Sequence, residues 1–130
     1  MKVCLKYKKK LFQKYQLDII IDFINLLQKK LPVNGEITIY FLSERKGGMT
    51  TGSFLNKNNS IKILAKNRML SDILRTLSHE WAHCYDRQHL NITDRRDIGG
   101  ESENFANAKS GEITKLYIKS NKHKEDKIFE

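Results

Sequence analysis

The sequence predicts an α+β domain built from one helix, three short strands and two further helices, in that order. Three observations carry this prediction. Residues 11–31 place apolar side chains at helical spacing. Three runs rich in β-branched and aromatic residues lie between positions 36 and 65, separated by turn-forming residues. A second helix is read from about Ser71 or earlier, and a last one from about Glu101.

The first helix is read from Phe12, Tyr15, Ile19, Phe23, Leu26 and Leu27, which fall on one side, while Lys14, Asp18, Asp22, Asn25 and Lys29 fall mostly elsewhere. Pro32 and Asn34-Gly35 end it and start a turn. Glu36 to Leu42 is the first strand. After a break at Gly47-Gly48 come strands from Thr50 to Leu55 and from Ser60 to Ala65, joined by Asn56-Lys57-Asn58-Asn59 as a hairpin turn.

The second helix is expected from about Ser71 or earlier to about Gln88. Ser71 is the candidate N-cap, and Asp72 suits the positive end of the helix dipole. Residues 91–100 form a polar loop ending in Gly99-Gly100. The third helix runs from about Glu101 to Ser120, and the charged tail 121–130 is expected to fray. With no internal repeat and no long Gly/Ser/Pro linker, residues 1–130 read as a single domain.

At 39% hydrophobic and 30% charged residues, the composition is that of a globular chain, not a disordered or fibrous one. The longest apolar-rich run, Leu17 to Leu27, is interrupted by Asp18, Asp22 and Asn25, so no membrane span is expected. The basic N-terminus lacks the continuous apolar segment of a secretory signal, which makes a cytoplasmic location the expectation. Cys4 and Cys84 match no paired-cysteine zinc or redox spacing. Cys84 reads as a small core hydrophobe. The net charge of +9 has two readings: attraction to nucleic acid or an acidic partner, or a compositional bias toward lysine.

The chemistry is concentrated in residues 79–83, His-Glu-Trp-Ala-His, inside the second helix. At about 100° per residue, His83 stands about 40° around from His79 and one turn along, so both imidazoles can reach one metal ion. Glu80 lies on the adjoining side, placed to meet a water at that metal without binding the metal itself. Zinc would lower the pKa of the water and polarise a carbonyl. Glu80 would take the proton as general base and pass it to the leaving amine. Leu70, Leu74, Leu77 and Trp81 cluster on the opposite face, as a core stripe would.

Two residues compete to complete a three-ligand zinc site. Glu103 lies twenty positions after His83, on the third helix, and shares a face with Ala106 and Asn107. Alanine there lets two helices approach, and Asn107 can support the free ring nitrogen of a ligand histidine, His79 by preference. His89 instead completes metzincin spacing, but Asp86 stands where that pattern needs a helix-breaking glycine, and the methionines Met1, Met49 and Met69 all precede the motif. Glu103 is therefore preferred, with Glu101 a minor competitor. Two histidines and a carboxylate also suit other divalent ions, iron among them, though a glutamate inside the histidine motif argues for hydrolysis.

With these residues in view, the chain resembles a gluzincin-type zinc metallopeptidase, nearest to the compact ImmA/IrrE-like peptidases, over roughly residues 52–110. The resemblance rests on Gly52-Ser53-Phe54, Ile61-Lys62-Ile63-Leu64, Thr76-Leu77-Ser78, the histidine motif and Glu103-Asn104-Phe105-Ala106-Asn107. It implies a minimal zincin-like fold with a three-stranded sheet, zinc in the active site, cleavage of protein substrates, and frequent residence on phage or other mobile elements. It further implies that Gly52, Ser53 and Phe54 form an edge strand that pairs with an extended substrate. The oxyanion-stabilising residue is not evident. Tyr117 and His123 are the candidates, with packed and solvated side chains as the plainer readings. Two other functions compete with a peptidase: a non-catalytic, zinc-stabilised binding or regulatory protein, and a DNA-associated protease similar to SprT-like enzymes, contacting DNA through Lys8–Lys10 and the lysines of the tail.

Overall fold

The structure, a computed structural model, describes residues 2–45, 50–92 and 100–130. The expected Gly47-Gly48 break, Met1, Met49 and most of the polar loop 91–100 lie outside them. The elements are β1 (Lys2–Lys6), α1 (Lys14–Lys30), β2 (Glu36–Leu42), β3 (Gly52–Leu55), β4 (Ser60–Leu64), α2 (Leu70–Tyr85), α3 (Glu101–Ser120) and α4 (Glu125–Ile128). The fold is α+β with a mixed sheet.

The sheet has four strands, not the expected three, in the order β1-β2-β4-β3. The additional strand is β1, which pairs in parallel with β2 from Lys2↔Glu36 to Lys6↔Tyr40. A parallel pair requires a crossover, and α1 supplies it. β2 and β4 are also parallel, whereas β3 runs antiparallel to β4 from Gly52↔Ile63 to Leu55↔Ser60. Among the described residues β3 therefore forms one edge of the sheet. The turn between β3 and β4 is a single 3₁₀ turn, Asn56–Asn58, closed by Asn59 at φ +52°, a left-handed conformation that asparagine tolerates.

The core lies between one face of the sheet and the helices. Ile37, Ile39 and Phe41 alternate inward along β2 and meet Ile61 and Ile63 of β4. Ile19, Ile20, Phe23 and Leu27 of α1 pack there, together with Leu70, Leu74, Leu77 and Trp81 of α2. The predicted core stripe of α2 is thus buried as expected. Cys84 is also fully buried.

α2 begins one residue before Ser71. Met69 occupies the N-cap position, with no side-chain cap, and Ser71 lies inside the first turn. At its other end the helix does not stop but continues as one π-helical turn, Asp86–Leu90, closed by Asn91 at φ +52°. This end is pinned to the turn after α1. The Trp81 indole Nε1 donates to the Leu31 carbonyl at 2.8 Å, and His89 Nε2 donates to the Pro32 carbonyl at 2.8 Å. Gln88 makes a reciprocal pair with the Asn34 backbone, at 2.7 and 3.1 Å.

Residues 121–130, read from their charge as a frayed tail, form a 3₁₀ turn and α4. Ile128 is fully buried, Lys124 lies 3.4 Å from Asp22, and the Tyr15 hydroxyl donates to Glu130 at 2.6 Å. One apolar anchor and two contacts to α1 dock the segment, which charge patterning does not reveal. No helix among the described residues is long and apolar enough to cross a membrane.

Candidate metal centre

α2 and α3 pack side by side, and α3 brings its first turns against the histidine face of α2. Ala106 is fully buried, consistent with a small residue admitting close helix approach. Ser102, one turn earlier, is also buried. This packing sets Glu103 opposite the two histidines.

His79, His83 and Glu103 converge. One ligating atom from each lies within 4.8 Å of the others. His79 Nε2 and His83 Nε2 are 3.2 Å apart. Glu103 reaches His83 Nε2 at 2.9 Å and His79 Nε2 at 3.3 Å, one carboxylate oxygen to each. Four ligands around zinc at 2.0–2.1 Å would place neighbouring donor atoms about 3.3–3.4 Å apart. The observed separations are close to that edge.

The donor chemistry fits a divalent cation as well. Ser102 Oγ lies 3.4 Å from His83 Nδ1 and donates to Asp86 Oδ2 at 3.0 Å. His79 hydrogen-bonds Asn107. With Ser102 Oγ accepting from His83 Nδ1–H, the His83 Nε2 lone pair faces the Glu103 carboxylate, and His79 Nε2 lies beside it, an arrangement that a cation would stabilise. Burial lowers the His79 pKa, and His83 lowers it further. Glu103 and Asn107 oppose the shift only in part.

Asp86 was not singled out as a site residue from sequence. It is fully buried, and its other oxygen accepts from the Ile92 backbone N–H at 2.9 Å. The π-helical turn directs this carboxylate inward, beneath Ser102. Residue spacing alone does not pair Asp86 with Ser102, because the contact depends on the π-helical turn. His89, the alternative third ligand, binds the Pro32 carbonyl and packs against Tyr85 at 4.7 Å between centroids. Neither it nor Glu101 belongs to the cluster.

Glu80 is buried and contributes no atom to the cluster. Burial pushes its carboxyl up to about 8, with the negative charge of Glu103 adding to the effect. It forms part of the wall of two clefts, one on each side. The larger, about 570 Å³, also meets Phe54, Leu55, His83 and Glu103. The smaller, about 280 Å³, meets Gly52, Thr76, His79 and Asn107.

Gly52, Ser53 and Phe54 form the edge strand β3, as expected, and β3 lies against α2 at Glu80. The approach explains the glycine. A Cβ at position 52 would sit 2.5 Å from Thr76 Cγ2 and 3.3 Å from both Glu80 Cγ and Oε2.

The two candidate oxyanion residues lie elsewhere. Tyr117 is buried against Phe23, and its hydroxyl donates to Asp22 at 2.9 Å, so it faces α1. Burial and that bond push its phenol up. His123 sits on the exposed 3₁₀ turn before α4.

The arrangement is a His-His-Glu cluster consistent with a zincin-like zinc site, with a buried carboxylate beside it and, among the described residues, a sheet edge at β3. Comparison with protein-family models, with curated proteins and with solved structures finds no match for the chain.

Proposed function

We propose that the protein is a zinc-dependent peptidase of the minimal gluzincin kind, in which His79, His83 and Glu103 hold the metal and Glu80 is the general base. The observation that carries this reading is the combination of three converging donor groups with a buried, non-ligating carboxylate exposed to clefts on both sides. A cation held there would act as a Lewis acid toward a carbonyl and make water more acidic.

The chain's own residues supply the rest. Ser102, with Asp86 behind it, and Asn107 orient the two imidazoles. Glu80 accepts the proton of the attacking water. Its enclosed position favours the protonated form until the proton passes to the leaving nitrogen, and a cation held by the three ligands would favour the ionised form that first accepts it. The side of β3 that is unpaired among the described residues offers backbone N–H and C=O groups to an extended polypeptide. Gly52 keeps that strand close to Glu80.

The test uses zinc-loaded wild type and Glu80→Gln on a mixture of unstructured peptides, with products read by mass spectrometry. The variant should retain one zinc per chain and lose cleavage by at least about 100-fold. Cleavage by Glu80→Gln at the wild-type rate would remove Glu80 from the mechanism.

A further inference from the structure

The two clefts beside Glu80 differ in chemistry. The cleft at the Leu55 end of β3 combines Phe54 and Leu55 with Lys57 and Arg87 at its margins. The recess at the Gly52 end is lined almost entirely by polar groups, among them Thr51, Gly52, Arg68, Asp72, Arg75 and Thr76. Two guanidinium groups, of Arg68 and Arg75, face two carboxyl groups, of Asp72 and Glu80.

The two arginines are held differently. Arg68 is anchored: Nη1 donates to the Leu64 carbonyl at 2.8 Å, and Nη2 donates to the Asp72 carbonyl at 3.2 Å and to Thr76 Oγ1 at 3.0 Å. That uses three of the five donors a guanidinium carries. Arg75 has no side-chain hydrogen bond or ion pair among the described residues. Its guanidinium extends toward α3, where a Cβ on Gly111 would lie 3.7 Å from Nη2. A fixed guanidinium and an uncommitted one, in a polar recess that also reaches His79 and Glu80, form a receptor for a planar anion.

We infer that this recess is a carboxylate-binding subsite, so that the preferred substrate carries an acidic side chain or a free C-terminus next to the bond that is cut. The word substrate rests on the peptidase reading above, whereas the anion site does not. If the substrate pairs antiparallel with β3, the recess receives residues that follow the scissile bond.

The test is a titration of the zinc-loaded, ¹⁵N-labelled chain followed by NMR. Three probes are used: N-acetylglutamic acid amide, which has only a side-chain carboxylate; N-acetylalanine, which has only a terminal one; and neutral N-acetylglutamine amide. At least one acid should shift the Arg75 Nε–H and Thr76 amide signals saturably, and the neutral probe should not. Arg75→Ala should weaken that binding by at least about tenfold. Binding of the glutamate probe alone assigns an acidic side chain, and binding of N-acetylalanine alone assigns a chain terminus. Absence of binding by both acids, or equal binding by Arg75→Ala, overturns the subsite. A protein that binds these acids but cuts no peptide keeps the subsite and loses the peptidase reading. One that cuts peptides but binds neither acid does the reverse.

Discussion

The residue with the most to lose is Glu80. In the metal-free protein the fold holds its proton up to about pH 8, whereas the unfolded chain releases it near the ordinary value of 4.5. Glu80 therefore costs the fold little below pH 4.5 and progressively more as the pH rises toward 8. Metal-free Glu80→Gln should be more stable than metal-free wild type at pH 8, by roughly 2–4 kcal/mol, with the advantage shrinking toward zero near pH 4.5. Urea unfolding at the two pH values checks this; an advantage independent of pH would contradict it. Asp86 acts at one remove. Asp86→Asn weakens the acceptor behind Ser102 and His83 with little change in shape, and zinc affinity measured by competition with a chelator should fall about 10–100-fold. An unchanged affinity would confine Asp86 to a structural role. His79, Glu80 and His83 were legible in the sequence because helical periodicity alone puts them on adjoining faces. Asp86 and Ser102 were not, because their contact depends on a π-helical turn that single-residue spacing does not encode.

Among the elements, β3 and α2 are coupled through Gly52. Gly52→Ala drives a methyl into Thr76 Cγ2, so β3 must move away from Glu80. The expected result is a loss of about 1–3 kcal/mol in stability together with reduced peptide cleavage. Thr76→Ser removes the opposing methyl, so Gly52→Ala/Thr76→Ser should recover much of both losses, a non-additivity that a double-mutant cycle measures directly. Additive losses would place the cost elsewhere. The β3–β4 hairpin and all three long helices were readable from turn residues and apolar periodicity. β1 was not: its five residues, Lys-Val-Cys-Leu-Lys, are too short to distinguish from a basic terminus. Its partner β2 lies across the whole of α1, a long-range pairing that local pattern cannot report. The lysines at both ends of β1 also suit an edge strand that must not pair with other chains.

At the scale of the whole molecule, the helices and sheet bring one carboxylate of α3 to two imidazoles of α2 and, among the described residues, set a sheet edge beside them. Part of the net charge of +9 then has a local address, since Arg68, Arg75, Lys57 and Arg87 all line the clefts flanking Glu80. The lysine count announced a basic chain but not where its charge gathers. The central claim is that Glu103, not His89, completes a metal site with His79 and His83. The most direct measurement is the zinc content of the purified protein beside Glu103→Ala and His89→Ala, with folding followed by circular dichroism. Wild type and His89→Ala should carry one zinc per chain, and folded Glu103→Ala should lose most of it. Loss of zinc from His89→Ala with retention by Glu103→Ala, or a folded wild type that binds no metal, would contradict the account.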